Sequence, residues 1–192
     1  SRNKVKKLIF ASTSAVYGEP IYLPVDEDHI TDPISPYGLT KLGFEQYLKY
    51  FSTMCDMSFT VFRLPNVYGP RQRPDLEGGV IAIFDNLIKL NQDIKIYGDG
   101  KQTRDWVHVK DIVSGFYEGL NCHKPYDLFL LGSDTETSLN KLFKLFLELT
   151  DYKKEPIYLE ERRGDIKHMV MSHSKSKKIL GWEPQINLKI GI

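Results

Sequence analysis

Residues 5–11 (VKKLIFA) form a short, mainly apolar run that is typical of a buried β-strand, and a long helical pattern begins at Pro36. A second β-rich run, Phe59–Leu64, stops at Pro65 and leaves Asn66 on a loop at the carboxyl end of the strand. This alternation of strand and helix patterns predicts an α/β fold made of packed layers. In open α/β sheets, ligands bind at the carboxyl ends of the strands, which is where Asn66 is placed.

The same alternation continues through the rest of the chain. The patterns predict a helix over Val80–Leu90, a strand over Ile94–Tyr97, a turn at Gly98–Gly100 and a strand over Trp106–Val109. Asp111 is predicted as the N-cap of a helix that runs through Leu120, and Ser138 as the N-cap of a helix with an apolar stripe at Leu142, Leu145, Phe146 and Leu149. We find neither an internal repeat nor a low-complexity linker.

Composition limits the kinds of partner. The chain has 192 residues, of which 41% are hydrophobic, and this is enough for a globular core. Its net charge of +1 gives no broad field for nucleic acid or an anionic membrane, and no apolar run is long enough to span a bilayer. Cys55 and Cys122 lie far apart without ligand-spaced neighbours, so we predict neither disulfides nor a metal site, and a reducing cytoplasm fits best.

Tyr37 and Lys41 stand four residues apart in the helical pattern that begins at Pro36. Positions i and i+4 share a helix face, so a phenol and an ammonium would lie one turn apart. A free phenol has a pKa of ~10 and is a poor base at neutral pH unless a nearby positive charge favours the phenolate. The pair alone is weak evidence for catalysis, because many unrelated helices carry the same spacing.

Two neighbouring segments strengthen this interpretation: residues 10–18, FASTSAVYG, and residues 33–36, PISP, directly before Tyr37. Together with YGLTK they resemble the extended short-chain dehydrogenase/reductase family, in particular its nucleotide-sugar epimerases and dehydratases. The resemblance implies the later part of a Rossmann-like doubly wound parallel sheet in residues 1–70. It implies a small, mainly substrate-binding α/β region in residues 71–192, with returns to the sheet.

The glycine-rich turn that opens a dinucleotide-binding fold is missing from this sequence. Gly78-Gly79 and Gly98-Asp99-Gly100 have neither its spacing nor its strand-to-helix context. By resemblance, the N-terminal half of the cofactor domain is absent, and we expect a chain that is incomplete at both ends. We also expect an unpaired strand edge and exposed apolar faces, with non-native association as a consequence.

In the family resembled, Thr13, Tyr37 and Lys41 take the catalytic places. Thr13 would hydrogen-bond the sugar hydroxyl that is oxidised, and Tyr37 would be the general base that removes its proton. Lys41 would hold the nicotinamide ribose, and the backbone at Pro65 would lie near the nicotinamide. The implied cofactor is therefore NAD, bound by Tyr37, Lys41 and Pro65, and no metal is implied.

The two residues after Thr13 separate possible reactions. Dehydratases of the superfamily carry an Asp-Glu pair there, and related decarboxylases commonly keep the glutamate, but this chain has Ser14-Ala15. Alanine cannot transfer a proton, so transient oxidation and reduction at C4 is favoured over elimination. A dehydratase or decarboxylase stays open as an alternative, since Glu19 or Asp26 could replace the missing carboxylate.

Three later segments resemble the nucleotide-sugar site of the family. Asn66 in RLPNVYGP would meet the substrate diphosphate. In YGDGKQTRDWVHV, Tyr97 would lie against the nucleobase and Arg104 would clamp the diphosphate, because a planar guanidinium suits phosphate oxygens. In RRGD, Arg162 would be a second phosphate ligand and Asp165 an acceptor for the ribose hydroxyls.

These resemblances imply NAD-dependent epimerisation at C4 of a nucleotide sugar of the UDP-glucose and UDP-galactose type. They also imply a cytoplasmic homodimer that binds neither nucleic acid nor membrane. The rival from another class is a non-catalytic nucleotide-sugar-binding fragment, motivated by the missing glycine-rich turn.

Overall fold

The computed structural model describes residues 5–75, 79–162 and 164–192. In chain order its elements are β1 (Lys7–Thr13), α1 (Pro36–Phe51), β2 (Ser58–Leu64), β3 (Asn66–Tyr68), α2 (Val80–Lys89), β4 (Lys95–Tyr97), β5 (Thr103–Arg104), β6 (Trp106–His108), α3 (Val109–Gly119), β7 (Tyr126–Leu130), β8 (Thr137–Ser138), α4 (Leu139–Leu149), β9 (Ile157–Leu159), α5 (Ser174–Leu180) and α6 (Leu188–Gly191). A short 3₁₀ turn, Ser14–Val16, follows β1 directly. Gly78 and Arg163, which belong to two of the segments discussed above, lie outside the described residues.

β1, β2 and β7 form a parallel sheet in the order β1-β2-β7. Parallel strands need a crossover connection, and α1 supplies it between β1 and β2. On one face of the sheet, Leu48 of α1 joins a core cluster with Phe59 and Val61. On the other face, Phe116 of α3 packs on Phe62, with ring centroids 5.0 Å apart. The prediction of an α/β fold with a parallel, Rossmann-like sheet is confirmed.

α1 begins where the sequence predicts. Pro36 occupies its first turn, and the hydroxyl of Ser35 accepts a hydrogen bond from the N–H of Gly38 at 3.1 Å. Gly38 is also required for packing, because a Cβ at this position would overlap the carbonyl oxygen of Ala15 in the 3₁₀ turn. The first turn of α1, with Tyr37, is therefore pressed against the segment that follows β1.

Besides the three-stranded sheet, the described residues form three two-stranded sheets. β3 pairs with β6 and β4 with β9 in parallel, whereas β5 and β8 are antiparallel. Phe84 of α2 packs on Phe143 and Phe146 of α4, at centroid distances of 6.3 and 5.9 Å. The same core contains Ile96 of β4 and Trp106 of β6. This packing places β3, β4, β5 and α2 around one cavity.

Two predicted boundaries are wrong by a short distance, and one cap is right. Asn66 is not on a loop, since it begins β3 and is the register partner of Trp106 in β6. Val109 is the first residue of α3 rather than the last of a strand. Ser138 caps α4 as predicted, with its hydroxyl accepting from the N–H of Lys141 at 3.2 Å.

The predicted N-cap at Asp111 is wrong. His108 caps α3, and its side chain accepts a hydrogen bond from the N–H of Lys110 at 3.2 Å. Asp111 lies in the first turn of the helix and is buried. Its carboxylate accepts instead from the N–H of Ile186 at 2.9 Å, a partner 75 residues further along the chain. A local pattern cannot show such a long-range partner.

The longest helix of the described residues is α1, with 16 residues. None of the helices in this part of the chain is both long and apolar enough to cross a membrane. Across residues 5–75, 79–162 and 164–192, no three His, Cys, Asp or Glu side chains are grouped as a metal site would require.

Candidate active site

The three predicted catalytic residues lie at the carboxyl end of β1. Thr13 is the last residue of β1, and its Oγ1 accepts a hydrogen bond from the N–H of Ala15 at 3.2 Å, which leaves its own hydroxyl proton free to donate. Lys41 Nζ donates to the carbonyl oxygen of Ala11 at 2.8 Å. The same nitrogen lies 5.7 Å from the centroid of the Tyr37 ring. The fold therefore brings a phenol, an ammonium and a hydroxyl to one strand end.

Tyr37 is open to solvent, with 54% of its surface exposed. Its hydroxyl has no hydrogen-bond partner among the described residues. Pro65 is buried and follows Leu64, which is the register partner of Thr13 in β2. The predicted cofactor contact at Pro65 is thus at the same end of the sheet as Thr13.

A cavity of about 790 Å³ collects five of the six predicted substrate residues, and Thr13, the sixth, does not line it. Asn66, Tyr97, Arg104, Arg162 and Asp165 all line it. They come from three separate segments of the chain, so folding alone brings them together. The cavity is bounded by α2, β3, β4 and β5.

Arg104 is a half-buried cation in the wall of this cavity. Its guanidinium donates to the carbonyl oxygen of Thr103 at 2.7 Å, and it has no ion pair within 4.0 Å in the described part of the chain. Burial lowers the pKa of Arg104, while the carboxylates of Asp165 and Glu19 act in the opposite direction. The Arg104 guanidinium is thus partly desolvated, and an anionic ligand in the cavity would form an ion pair with it.

Tyr97 and Arg162 are in direct contact. The guanidinium carbon of Arg162 lies 3.6 Å from the centroid of the Tyr97 ring, which is a cation–π arrangement. Tyr97 is half-buried and Arg162 is exposed. One face of the predicted base-contacting ring is therefore covered by the predicted phosphate ligand.

β4 offers backbone groups on its edge away from β9. The N–H of Ile157 in β9 donates to the carbonyl oxygen of Ile94 at 2.8 Å. Because the backbone groups of successive residues alternate between the two edges of a strand, those of Lys95 and Tyr97 point away from β9. Gln102, another cavity residue, donates to the Tyr97 carbonyl at 2.6 Å. The Lys95 carbonyl and the Tyr97 N–H are left as one acceptor and one donor.

The NAD dependent epimerase/dehydratase family matches residues 1–127. The chain belongs to this family. A UDP-glucose 4-epimerase of Mycolicibacterium smegmatis is 34% identical over 189 residues, which are 98% of this chain and 60% of the relative. The dTDP-D-glucose 4,6-dehydratase of Homo sapiens is 30% identical over 199 residues, covering 98% of this chain and 55% of the relative.

Among solved structures, a UDP-glucose 4-epimerase from Thermotoga maritima, crystallised with UDP-glucose, superposes with a TM-score of 0.95 at 41% identity. The match covers 99% of this chain and 62% of that structure. The chain thus spans about three fifths of the length of the relatives it matches. The recognition of the family from its motifs is confirmed.

Residues at the end of β1 fit the nicotinamide end of the cofactor that gives the NAD dependent epimerase/dehydratase family its name. The ribose next to nicotinamide presents hydroxyls, which can accept a hydrogen bond from Lys41 and exchange one with Tyr37. The Tyr37 hydroxyl has no partner among the described residues, and Lys41 has only the Ala11 carbonyl within hydrogen-bond distance there. The donor set is therefore available for such a ligand.

The sequence interpretation missed the apolar wall of the cavity. Four residues of α2 form it at helical spacing: Val80, Ile83, Phe84 and Leu87. Trp106 completes it, with an indole N–H that is buried without a hydrogen-bond partner in the described residues. The spacing signals an apolar helix face, but it does not say whether the face meets a core or a ligand.

A second cavity, of about 650 Å³, lies between α4 and residues 184–189. It shares Trp106 with the first cavity and contains none of the predicted site residues. The predicted binding chemistry is therefore concentrated in the first cavity.

Proposed function

We propose that the polypeptide containing this chain epimerises C4 of a UDP-sugar of the UDP-glucose and UDP-galactose type, with NAD as cofactor. The observation that carries the proposal is the single cavity that five predicted substrate residues line. Arg104 and Arg162 supply charge for a diphosphate, and the apolar face of α2 suits a base. The family and its UDP-glucose 4-epimerase members support the same class of substrate.

NAD, when bound, would supply the acceptor and then the donor of the hydride of the sugar carbon. Tyr37, as the phenolate, removes the proton of the C4 hydroxyl and gives it back at the end of the reaction. Thr13, whose hydroxyl proton is free, donates to the same sugar oxygen and holds it at the end of β1. Lys41 would hold the nicotinamide ribose of this cofactor, and the backbone at Pro65 would contact its nicotinamide. Rotation of the oxidised sugar between the two transfers inverts C4.

The 3₁₀ turn after β1 favours epimerisation over elimination. It contains Ser14-Ala15, neither of which is an acid. The two substitute carboxylates are already hydrogen-bonded: Glu19 accepts from the N–H of Lys167 at 3.0 Å, and Asp26 accepts from the hydroxyl of Tyr22 at 2.7 Å. The similarity to a dTDP-D-glucose 4,6-dehydratase makes dehydration the second candidate. NMR of the product separates them, because elimination gives a 4-keto-6-deoxy sugar and epimerisation gives the C4 epimer.

The free edge of β4 supports a pyrimidine nucleotide. A carbonyl acceptor at Lys95 and an N–H donor at Tyr97 can pair with the N3–H donor and O4 acceptor of uracil. Thymine presents the same edge, so the affinities of UDP and dTDP should be compared directly. We propose UDP because the solved relative is a UDP-sugar enzyme.

The test of the mechanism is Tyr37→Phe in the natural polypeptide that carries these residues. Loss of the hydroxyl removes the general base, so turnover should fall at least about 100-fold while the dissociation constant for UDP-glucose changes less than about threefold. Tyr47→Phe is the matched control, because Tyr47 is an exposed tyrosine of the same helix. Unchanged turnover in Tyr37→Phe would rule out the assigned role of Tyr37.

The non-catalytic rival is tested on the same wild-type polypeptide. Its intact mass and absorbance spectrum show its length and any bound NAD, and an assay with added NAD shows turnover. UDP-glucose binding without turnover, with NAD present, would support the rival and contradict the proposal.

Three further properties belong to the proposal. Residues 1–70 provide the catalytic strand end and residues 71–192 most of the nucleotide-sugar cavity, with β7 returning to the main sheet. We propose a homodimer through the exposed apolar side of α1. We place the protein in the cytoplasm, because Cys55 and Cys122 are free thiols.

A further inference from the structure

A buried ion pair joins α1 to the central sheet. Arg63 of β2 donates to both carboxylate oxygens of Glu45 on α1, from Nε at 3.1 Å and from Nη2 at 2.7 Å. The two side chains are 6% and 1% exposed. Ser12 of β1 donates its hydroxyl to Glu45, and the remaining nitrogen of Arg63 donates to the hydroxyl of Tyr17 at 2.9 Å. We call Ser12, Glu45 and Arg63 the clamp.

On the sheet side, the clamp adjoins the candidate active site. Ser12 directly precedes Thr13, and Arg63 stands two residues before Pro65. Ser12 and Arg63 are register partners in β1 and β2. Glu45 therefore binds two neighbouring strands at once, immediately before the ends that carry the candidate site residues.

On the helix side, the clamp continues the face that carries the catalytic pair. Glu45 follows Lys41 by four residues, and Lys41 follows Tyr37 by four, so all three share one face of α1. Lys41 donates to Ala11, and Glu45 accepts from Ser12. Two successive turns of α1 are thus fixed to two successive residues of β1.

The physics of buried ion pairs suggests a geometric role for the clamp. Replacing such a pair by apolar residues of similar volume is often neutral or stabilising, whereas removing one partner is strongly destabilising because the other charge stays buried and unpaired. Net stability alone therefore does not require a charged pair here. A bidentate guanidinium–carboxylate pair does fix direction and distance. Burial lowers the pKa of Arg63. The contacts with Glu45 and Tyr17 raise this pKa by more than burial lowers it, so the arginine stays charged.

We propose that Ser12, Glu45 and Arg63 are positioning residues that set the height and rotation of α1 on the sheet, and thereby hold Tyr37 and Lys41 against Thr13. The kinetic part of this inference rests on the proposed function. The clamp touches neither substrate nor cofactor in this proposal, so it should act on turnover and not on nucleotide binding.

The first test is Ser12→Ala in the natural polypeptide. It removes one contact of the clamp, leaves the ion pair intact and is mild enough to fold. We expect kcat to fall about 3- to 10-fold, with KM for UDP-glucose and the dissociation constant for UDP within about twofold of wild type. Asp85→Asn is the control, because it breaks an exposed ion pair with Lys89 on α2, far from the clamp in the chain.

The second test separates position from stability. The triple variant Ser12→Ala, Glu45→Leu, Arg63→Met replaces the clamp by apolar groups, and its melting temperature should stay near that of wild type. We expect its kcat to be at least about tenfold lower than that of wild type, with an unchanged UDP dissociation constant. Wild-type kcat in this folded variant, or in Ser12→Ala, would overturn the inference. If the triple variant does not fold, Ser12→Ala decides alone.

Amide hydrogen exchange gives a readout that does not depend on activity. In Ser12→Ala and in the triple variant, the amides of residues 39–45 should exchange at least about tenfold faster than in wild type, while those of α3 and α4 keep their rates. Unchanged exchange in α1 would overturn the inference. If the wild-type polypeptide does not epimerise UDP-sugars, the proposed function fails, but this comparison still decides whether the clamp holds α1.

Discussion

We expect Arg104 to make the strongest interaction with the negative charge of a ligand. It is half-buried, and no carboxylate in the described residues lies within ion-pair distance. We expect Arg104→Met to weaken UDP binding about 10- to 100-fold, since a hydrogen bond to a charged group contributes about 1.5–3 kcal/mol. Arg104→Lys should recover only part of the loss, because an ammonium cannot form the two-pronged contact of a guanidinium.

Isothermal titration with UDP measures both variants of Arg104. Arg73→Met is the matched control, because Arg73 is exposed, pairs with Asp75 at 2.6 Å and does not line the cavity. Wild-type affinity in Arg104→Met would mean that the diphosphate binds elsewhere.

The next residue, Asp105, should make the stability of the folded state depend on pH. Its carboxylate is completely buried and accepts hydrogen bonds from the N–H groups of Ser133 and Met171, each at 3.0 Å. Burial raises its pKa to about 6 from an ordinary value of 3.8, in spite of these bonds. Between these two values the folded state binds more protons than the unfolded state, so this contribution to stability is full below the lower value and is lost as pH rises through the upper one.

The measurement is the free energy of unfolding in urea from pH 4 to 7, for wild type and for Asp105→Asn. Asparagine does not titrate, so the wild type should lose about 2 kcal/mol relative to the variant over this range. The difference isolates Asp105, because every other titrating group is common to both proteins. A difference that stays constant with pH would contradict the raised pKa.

At the scale of elements, α1 contains two glycines with opposite expected effects. A Cβ at Gly38 would overlap the carbonyl oxygen of Ala15 and lie 3.1 Å from the Cβ of Pro33, so Gly38→Ala must push the first turn of α1 away from the 3₁₀ turn. We expect it to lower the free energy of unfolding by about 1–3 kcal/mol. Gly43→Ala meets nothing within 4 Å and should raise it by about 0.5–1 kcal/mol.

Urea unfolding of the two alanine variants measures this contrast, and each serves as the control for the other. They share a helix and a substitution and differ in what the new methyl group meets. Equal effects would mean that helix propensity alone decides, and that the contact between α1 and the 3₁₀ turn does not hold the helix in place.

Long elements could be predicted from the sequence, whereas very short ones could not. The start of α1 depends on Ser35 and Pro36, whose effects are local and can be read from the sequence. By contrast, β5 (Thr103–Arg104) and β8 (Thr137–Ser138) have two residues each and exist because they pair across more than 30 positions. A pattern of two residues cannot predict such a pairing, and the same holds for the Asp111 carboxylate, whose partner is remote.

The same distinction applies to the candidate site. Arg104 and Asp165 belong to sequence motifs, so they could be predicted as site residues. Glu45 could not be predicted in this way, because a carboxylate inside a helical pattern normally indicates a solvated face. Its burial depends on Arg63, which lies on the strand β2. The available signal was its spacing of four from Lys41, which places it on the catalytic face of α1.

At the scale of the whole molecule, α1 leaves an apolar side uncovered. Its large exposed side chains include Leu39, Tyr47 and Tyr50, and Met54 follows just beyond the helix. Tyr47 is 64% exposed and Tyr50 59%. Monomeric proteins rarely expose contiguous apolar patches of this kind, so a second copy of the chain is the occupant we propose.

Tyr47→Glu tests whether the α1 side is the surface of association. A charge at the centre of an apolar interface should raise the dimer dissociation constant at least about tenfold, as measured by sedimentation or by light scattering across a dilution series. Tyr117→Glu is the matched control, because Tyr117 is 66% exposed on α3 at the opposite face of the sheet. Within the described residues β1 pairs only with β2, so its other edge could also associate. Association through that edge would persist in both variants, whereas association through α1 would be lost in Tyr47→Glu alone.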